Sequence, residues 1–545
     1  MAGTGGFSFD PRSIEYSHIG SLIARCDREH QSCGIRANRP AKSLRHFRLI
    51  HCASGKVVRK ARTCDYVALS YVWGQVPLGT MFRLGSRPKY PATIEDAIQV
   101  TMRLGFAYLW VDRYCIDQAS SAHQTEQIQQ MGQIYEQAAL TILAAAGTDP
   151  SYGLPGVSRP RIGPTDRVDI GGLTIAHIPD SPEEYVENSV WATRGWTYQE
   201  ACLSRRRLFF TDSQLYYECH AGNCEELSFY RGPQATHPAY KPFASVFEAD
   251  PSTILRCILE YSSREVGFLH DRLRAFLGIL ATFSEASEPI FHLWGVPFML
   301  RHGKYELGLG LLESTSSIRS PEFPSWSWLG WSGHATQKPL VEGLSQYRST
   351  YSIMVEEGDQ VLDLTPQLLQ RYYSVEGTPE AAPAALQLEG MAFPIYVIKD
   401  FELRPGCRLI LADRGRRITN WSSVLQLVRN SDWVCWQQPN GKWIYETYQV
   451  VNRSFLGSQE GNEIKLLGFP LLEGSTKWPR TQKEIAILRE VEGGHETVGY
   501  LSILGPYFTL DVQADRRAVD RVGGVIEVEE GYELPQMEHT KIRWL

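Results

Sequence analysis

Three short aromatic-rich motifs hold the residue types in this chain that are best suited to chemistry in a cleft. Each joins apolar residues to a polar or charged group: Ser70 in the first motif, Asp112 in the second and Glu200 in the third. This mixture is expected where buried strands and helices deliver polar side chains to a cleft. The motifs are YVALSYVWG at residues 66–74, LWVDRYCIDQ at 109–118 and RGWTYQE at 194–200.

The segments that carry these motifs alternate between strand and helix patterns. Short apolar runs bounded by turn residues predict strands, and apolar residues spaced three and four apart predict helices. The run at 140–146 is almost entirely apolar, which is typical of a strand buried on both faces. We therefore predict strands at 66–71, 108–111, 140–146 and 207–211, and helices at 94–102, 123–139 and 196–203.

The alternation predicts an α/β fold. Strands that alternate with helices form a parallel sheet with helices on both faces, and right-handed crossovers make a doubly wound sheet the expected topology. Ligands of such sheets bind beyond the carboxyl ends of the strands. Residues 70–74 and 112–118 follow two of the predicted strands, so we expect the cleft there.

The character of the chain changes along its 545 residues. Residues 253–280 have a helical pattern, residues 323–331 are dense in tryptophan, and short β-like runs follow a Pro- and Ala-rich segment at 376–385. We interpret the tryptophans mainly as packing residues, because Trp buries a large area. The predicted segments are an N-terminal extension at 1–60, an α/β domain at 61–230, a helical and Trp-rich region at 231–375 and a β-rich C-terminal region at 376–545.

Composition and motifs argue against several functional classes. A formal net charge of -6 does not favour nucleic-acid binding, which usually shows a strongly basic face. The chain contains no P-loop, no dinucleotide fingerprint after a strand and no Gly-x-Ser-x-Gly elbow. We interpret the three consecutive arginines at 205–207 as a solvated surface. Cys115 could be a nucleophile with His123 nearby, but a partly buried thiol is the preferred interpretation.

The cysteines do not predict a metal site. The chain has 11 cysteines but no Cys-x-x-Cys pair. Two groups come closest to metal-ligand spacing, and neither has the paired, short-spaced ligands of a structural zinc site. These groups are Cys26 with His30 and Cys33, and Cys219 with His220 and Cys224.

The sequence predicts a soluble, cytoplasmic protein without a membrane partner. Its N-terminus lacks the basic start and apolar core of a signal peptide. No stretch approaches the roughly 18 apolar residues of a membrane-spanning helix.

The three motifs, in this order, resemble the fungal heterokaryon incompatibility (HET) domain over residues 66–203. The helix between the second and third motifs carries Gln127, Met131 and Tyr135, which also match the family pattern. The resemblance implies a role in fungal non-self recognition, in which mismatched partners trigger death of the fused cell. It also implies an incompatibility partner protein or self-association as the molecular partner.

A more remote similarity links the same region to Toll/interleukin-1 receptor (TIR) domains, which are flavodoxin-like. Their first strand resembles residues 65–74, and their third helix carries a Trp followed four residues later by Glu, as Trp196 and Glu200 do here. In enzymatic TIR domains this glutamate serves cleavage of NAD at the nicotinamide–ribose bond. The similarity therefore implies that Glu200 is catalytic and that NAD is a substrate rather than a resident cofactor.

The same similarity suggests which residues hold the dinucleotide. Carboxylates stabilise the oxocarbenium character that develops on ribose, and either Asp112 or Asp117 could be a second carboxylate. Guanidinium groups such as Arg194 or Arg113 could pair with the pyrophosphate, and Trp73 or Trp196 could stack on a ring. The predicted substrate-binding residues are Ser70, Trp73, Gly74, Asp112, Arg194 and Trp196.

Other interpretations of these residues remain open at this point. Ser70 has no base identifiable from the sequence, and packing at its strand end is the preferred interpretation. Glu200 could be a helix-surface or N-terminal-turn carboxylate, Asp112 could cap a loop, and the tryptophans of the motifs could belong to the core. The domain could also be a signalling module that acts by self-association without catalysis. A third possibility is a repurposed enzyme of secondary metabolism, with a small-molecule pocket lined by Trp326, Trp328 and Trp331.

Overall fold

The four apolar runs predicted as strands lie side by side in the computed structural model of this chain. The structure describes residues 10, 12–30, 33, 44–60, 64–74, 84–162, 167–170, 173–176, 182–226, 246, 251–301, 304–307, 312–314, 318–331, 335–337, 347–349, 351–357, 360–374, 385–398, 408–411, 433–437, 443–447, 449–450, 463–475, 481–504, 507–511, 526–529 and 537–545. The chain folds as two units, Met1–Ala249 with Arg264–Thr282, and Asp250–Ser263 with Phe283–Leu545. The first unit contains all three motifs.

Ten described strands and nine described helices belong wholly or mainly to the first unit. The strands are β1 (Arg48–His51), β2 (Lys56–Arg59), β3 (Val67–Ser70), β4 (Tyr108–Trp110), β5 (Leu140–Ala144), β6 (Arg167–Ile170), β7 (Leu173–Ala176), β8 (Arg206–Phe210), β9 (Leu215–Cys219) and β10 (Gly222–Glu225). The helices are α1 (Tyr16–Glu29), α2 (Ala92–Arg103), α3 (Asp112–Cys115), α4 (Ser121–Gln129), α5 (Met131–Gln137), α6 (Pro182–Glu187), α7 (Gly195–Leu203), α9 (Asp271–Arg274) and α10 (Leu277–Ser284), with a 3₁₀ turn at Trp191–Thr193. Helix α8 (Pro251–Ser262) lies in the second unit.

The first unit is built on an eight-stranded mixed sheet in the order β10-β9-β8-β5-β3-β4-β1-β2. Its centre, β8-β5-β3-β4, is parallel, while β1 and β9 pair antiparallel with the two ends of this centre. In chain order the four central strands run 2-1-3-4 across the sheet, which is the flavodoxin-like order. The predicted α/β fold with a parallel central sheet is therefore confirmed, and the antiparallel edges are an addition to it.

Strands β3 and β5 form the topological switch point of this sheet. Every residue of both strands is buried, as expected for parallel strands covered on both faces. Ser70, the last residue of β3, is in register with Leu143 of β5. The switch point of such a sheet is where ligands bind, so Ser70 stands at the position that the fold predisposes for a site.

The helix predicted over 123–139 is divided into α4 and α5 at Gln130. Gln127 and Gln130 are buried, and the Nε2 of each donates a 2.9 Å hydrogen bond to the carbonyl oxygen of Arg45. The backbone N–H of Arg45 donates in turn to Gln130 Oε1 at 3.0 Å. Two buried amides therefore hold the turn that precedes β1 against this helix pair.

Helix α7, which carries Glu200, is buried on almost every side. Eight of its nine residues are buried and only Trp196 is partly exposed. A helix without a solvent face belongs to the interior of a unit. Gln199 accepts a 2.7 Å hydrogen bond from the backbone N–H of Gly278, so α10 packs directly against α7.

The three arginines at 205–207 do not form a solvated surface, and that interpretation is wrong. Their exposed fractions are 8%, 2% and 1%. Arg207 forms a 2.9 Å ion pair with Glu218, which is fully buried on β9. Arg205 and Arg206 donate to the carbonyl oxygens of Ala138 and Ala139, each at 3.1 Å. These three charges can be buried because each guanidinium donates to an acceptor in the sheet or in its loops.

The second unit is rich in β-structure, as predicted for the C-terminal region. The largest sheet among its described strands has 14 of them, in the order β16-β24-β25-β26-β29-β19-β21-β22-β20-β27-β28 with β17, β18 and β23 attached. The described elements are β11 (Phe291–Leu293), β12 (Val296–Arg301), β13 (Lys304–Leu307), β14 (Leu312–Ser314), a 3₁₀ turn at Trp328–Gly330, β15 (Ala335–Gln337), β16 (Tyr347–Ser349), β17 (Tyr351–Glu357), β18 (Gln360–Asp363), α11 (Pro366–Ser374), β19 (Leu386–Ile398), β20 (Arg408–Leu411), β21 (Trp433–Gln437), β22 (Trp443–Thr447), β23 (Gln449–Val450), β24 (Glu463–Ser475), β25 (Thr481–Val491), β26 (Gly494–Leu504), β27 (Tyr507–Asp511), β28 (Ile526–Glu529) and β29 (Glu538–Trp544).

The tryptophan-rich segment packs inside the second unit. Trp328 Nε1 donates to the carbonyl oxygen of Gly295 at 2.9 Å, and Trp331 Nε1 donates to that of Ser325 at 2.7 Å. Trp326 is 4% exposed. These contacts agree with the interpretation of the segment as packing residues. Within the described ranges, no helix combines the length and the hydropathy required to cross a membrane.

Candidate functional site

A chain of hydrogen bonds joins the end of β3 to helix α7. The hydroxyl of Ser70 donates to Glu200 Oε2, and Trp191 Nε1 donates to the same hydroxyl oxygen at 2.8 Å. Ser70 and Trp191 are fully buried, and Glu200 is 5% exposed. Helix α7 runs past the carboxyl end of β3, so its middle turn delivers the Glu200 carboxyl to the switch point of the sheet.

Asp112 provides a second carboxyl at the end of the neighbouring strand. It begins α3 directly after β4 and Val111. Its Oδ2 accepts a 2.7 Å hydrogen bond from Trp73 Nε1, and its Oδ1 accepts a 2.6 Å hydrogen bond from the backbone N–H of Arg113. The Arg113 guanidinium lies 5.5 Å above the centre of the Trp73 ring. The Asp112 carboxylate is thereby fixed in orientation while the residue stays partly exposed.

The two carboxyl groups have pKa values that are raised to different extents. Burial raises the pKa of Glu200 to about 8, and the negative charge of Asp112 adds to this rise. Burial also raises the pKa of Asp112, to about 6. The pair therefore titrates in two steps on either side of neutral pH. Titratable groups whose environments push their pKa values apart are typical of acid–base sites.

The positive charge of Arg194 acts on both carboxyl groups. Its positive charge lowers the pKa of Asp112 and that of Glu200, against the effect of burial. Within the described part of the chain, its guanidinium forms no ion pair and no hydrogen bond, and the residue is partly exposed. Arg194 can therefore bind an anion without first breaking an internal ion pair.

Two residues of this site were not identified from the sequence. Trp191 lies in the long segment between β5 and α7, and it reaches Ser70 only through the fold. Tyr135, assigned to the core face of its helix, donates to the carbonyl oxygen of Leu69 at 3.2 Å, and its hydroxyl also helps to lower the pKa of Glu200. No local pattern marks either residue, because each contact depends on packing between distant segments.

The remaining predicted residues are divided between the site and its surroundings. Gly74 has a φ of 62° in the turn after β3, and a Cβ there would lie 2.9 Å from Asp149 Cβ, so the turn requires glycine. Trp196 lies one turn before Glu200 and is partly exposed. Asp117 is held elsewhere, by a 3.1 Å ion pair with Arg48. Of the two aspartates, Asp112 is the one whose charge acts on Glu200.

A comparison with protein-family models identifies this region. Residues 66–200 match the model described as Heterokaryon incompatibility protein (HET). The chain carries a HET domain. The match includes Ser70, Asp112, Arg194 and Glu200, and it confirms the resemblance seen in the three motifs. Searches of curated proteins and of solved structures find no match for the chain.

The environment of Cys115 in the HET domain is unfavourable for a nucleophile, because the thiol is fully buried. Burial raises the pKa of this thiol to about 12, so the reactive thiolate is not formed at neutral pH. His123 instead accepts a 3.2 Å hydrogen bond from the backbone N–H of Asp117 through Nδ1. The interpretation of Cys115 as a buried thiol is supported.

A cavity of about 440 Å³ opens at the same edge of the HET-domain sheet. It lies at the carboxyl ends of β5 and β8. Glu184 and Asp212 place two carboxylates among its described lining residues, and a negative lining of this kind repels phosphate groups. Neither Glu200 nor Asp112 is part of its lining, which consists of Ala145, Gly147, Thr148, Tyr152, Glu184, Tyr185, Asn188, Ser189, Val190, Thr211 and Asp212.

Proposed function

We propose that the HET domain of this chain hydrolyses the bond between nicotinamide and ribose in NAD, within the general function of a heterokaryon incompatibility protein. The observation that carries the proposal is the pairing of Glu200 with Ser70 at the switch point of the sheet, next to Asp112. Two carboxyl groups with separated pKa values are suited to stabilising a glycosyl cation and to taking up a proton.

Cleavage of this bond requires no general acid to protonate the departing nicotinamide. When the N-glycosidic bond breaks, its electron pair stays on the pyridine nitrogen, nicotinamide leaves as a neutral molecule, and positive charge develops on the ribose. Water then adds to the anomeric carbon and loses one proton. The balance is NAD⁺ plus water giving ADP-ribose, nicotinamide and H⁺. The protein therefore has to stabilise a cation and accept a proton from water.

We assign Glu200 the role of stabilising the positive charge that develops on the ribose. In the free domain its pKa of about 8 keeps much of it protonated near neutral pH. The positive charge of a bound nicotinamide ring favours the carboxylate, so binding of the substrate generates the charge that the transition state requires. Asp112, with a pKa of about 6, is ionised at neutral pH and is assigned to proton uptake from water.

Arg194 and Trp73 are assigned to substrate binding. Arg194 is partly exposed and has no internal ion pair among the described residues, which suits a contact with pyrophosphate. The neighbouring cavity is a poorer site for the pyrophosphate, because the carboxylates of Glu184 and Asp212 line it. Trp73 is partly exposed and fixed by Asp112, so its ring is available for stacking on a planar group.

The test is product analysis with the full-length chain. We expect NAD to be converted to nicotinamide and ADP-ribose in equal amounts, as followed by proton NMR. Glu200→Gln should abolish the conversion, since the amide keeps the shape and the acceptor for Ser70 but cannot carry negative charge. Asp117→Asn is the matched control, because it changes an acidic residue of the second motif that is held away from the pair by Arg48.

Each outcome separates the proposal from its alternatives. Conversion by the Glu200→Gln variant at the wild-type rate would contradict the assignment of Glu200. An absence of conversion in wild type, together with assembly-dependent toxicity in cells, would favour a signalling module that acts by self-association. Loss of conversion in both Glu200→Gln and Asp117→Asn would indicate a general effect on folding, which circular dichroism of the two variants would reveal.

A further inference from the structure

Four potential metal ligands from distant parts of the first unit converge beside the central sheet. Cys26 lies near the end of α1, His30 is the residue directly after that helix, Cys33 follows, and Cys219 ends β9. The ligand atoms of all four lie within 4.8 Å of one another. The three cysteines are buried, with exposed fractions of 0–1%, and His30 is partly exposed.

The local backbone brings the first three ligands together. Cys26 and His30 are four residues apart at the end of α1, which places both on one face of the helix. The backbone N–H of Cys33 then donates to the carbonyl oxygen of His30 at 3.0 Å, so the chain turns back on itself. The fourth ligand arrives through the sheet: Cys219 Sγ lies 3.4 Å from His30 Nδ1, although 189 residues separate them.

Two buried arginines, one on β8 and one just before it, donate hydrogen bonds to residues of this cluster. Arg206 Nε donates to Cys26 Sγ at 3.2 Å. Arg205 Nη1 donates to the carbonyl oxygen of Cys33 at 3.3 Å. Hydrogen bonds from outer residues orient metal ligands and favour the thiolate form. The arginine cluster, which does not face solvent, thus has a specific role beside the cysteines.

We propose that Cys26, His30, Cys33 and Cys219 bind one zinc ion in a structural site. Zinc favours four-coordinate tetrahedral sites made of thiolate and imidazole, with Zn–S distances of about 2.3 Å. Such a tetrahedron places its sulfur atoms about 3.7 Å apart. The four atoms already lie within 4.8 Å, so closure requires shifts of at most about 1 Å. All four positions are filled by protein, which is the pattern of a structural rather than a catalytic zinc site.

The site would fasten the N-terminal helix to the antiparallel edge of the sheet. Two of its four ligands lie at the end of α1 and one lies at the end of β9. Closure of so long a loop by a metal restricts the unfolded chain and stabilises the folded one. The sequence did not predict a metal site because neither candidate group has paired, short-spaced ligands. Only the fold brings Cys219 to the other three residues.

The test is the zinc content of the full-length protein, purified without a polyhistidine tag or chelator and measured by mass spectrometry. Wild type should hold one zinc ion per chain. Cys219→Ser should lose about nine-tenths of it, whereas Cys52→Ser should keep it, since Cys52 is also a buried thiol but lies outside the cluster. His30→Cys should retain the metal as a four-thiolate site, and His30→Ala should lose it.

Two measurements keep the proposal testable if the variants fold poorly. Cobalt added to the zinc-free wild-type protein should give the visible absorption of a tetrahedral thiolate complex, and EDTA should lower the Tm of the wild-type protein. The proposal is overturned if wild type holds no more zinc than Cys219→Ser. It is also overturned if mass spectrometry finds these cysteines joined as disulfides in protein purified under reducing conditions.

Discussion

The hydroxyl of Ser70 donates a hydrogen bond to the carboxyl of Glu200, although 130 residues separate the two in the chain. Ser70 ends the central strand β3, and Glu200 lies in the buried helix α7. This contact helps to lower the pKa of Glu200, but burial dominates and the pKa is raised to about 8. A buried carboxyl that titrates close to neutral pH is the feature on which the proposed chemistry depends.

The indole of Trp191 is expected to keep Ser70 in its donating orientation. Trp191→Phe removes the N–H that donates to Ser70 Oγ at 2.8 Å and leaves a buried acceptor unpaired. We expect a loss of about 1–3 kcal/mol in the free energy of unfolding and a fall of about tenfold or more in the rate of NAD cleavage. Thermal unfolding and an NAD assay measure the two effects separately.

Trp110→Phe is the control for lost packing. Trp110 is fully buried and its Nε1 has no hydrogen-bond partner among the described residues. The Trp110→Phe variant should be less stable than wild type but should cleave NAD at the same rate, because the substitution removes no hydrogen bond to the site. An equal loss of rate in both variants would mean that Trp191 acts through packing alone.

Folding stability should fall as pH rises from about 6 to about 8, and Glu200 should be the cause. The pKa of Glu200 rises from its ordinary value of 4.5 to about 8 on folding, so the folded state binds more protons than the unfolded state in this range. Stability from this group is present below the unfolded pKa and is lost as pH rises through the folded pKa. Asp112 contributes in the same direction, but mainly below about pH 6.

Glu200→Gln tests this origin directly. The amide does not titrate, so the Tm of the variant relative to wild type should increase steadily from about pH 6 to about pH 8. Each pKa unit corresponds to about 1.4 kcal/mol. A constant difference in Tm across this range would show that Glu200 does not change its protonation there. Differential scanning calorimetry at several pH values is sufficient.

Arg194 should control the titration of both carboxyl groups. Its positive charge lowers the pKa of Asp112 and of Glu200, so Arg194→Gln should raise both values. The pH–rate profile of NAD cleavage should then shift to higher pH, and KM should rise if the guanidinium also binds pyrophosphate. Arg113→Gln is the comparison: its charge lowers the pKa of Asp112, so it should move the lower midpoint more than the upper one.

The close packing of α5 against α10 should not tolerate a methyl group. A Cβ on Gly132 would lie 3.1 Å from Gly278 Cα and 2.9 Å from Leu203 Cδ1. Gly132→Ala should therefore cost about 1–3 kcal/mol of stability. Gly20→Ala is the matched control, since Gly20 lies within α1 with no atom within 4 Å of its added Cβ, and it should stabilise the protein by up to about 1 kcal/mol.

Local sequence patterns predicted the central strands and α7, and they placed Ser70, Asp112 and Glu200 in one domain. They could do so because buried parallel strands are short apolar runs and polar residues at their carboxyl ends are conspicuous. The patterns could not predict contacts between distant segments. Trp191 beside Ser70 is such a contact, and so is Cys219 beside His30. Local composition also misled, since the three charges at 205–207 are buried by acceptors on other elements.

The most direct test of the proposed activity is kcat/KM for NAD cleavage as a function of pH, with full-length wild type and Glu200→Gln in parallel. The proposal predicts that nicotinamide is released by wild type, that kcat/KM rises with pH through about 8 as Glu200 ionises, and that the variant is inactive. The rise in kcat should occur at lower pH, because bound nicotinamide favours the carboxylate. If wild type releases no nicotinamide at any pH, or if Glu200→Gln releases it as fast as wild type does, the proposed activity is contradicted.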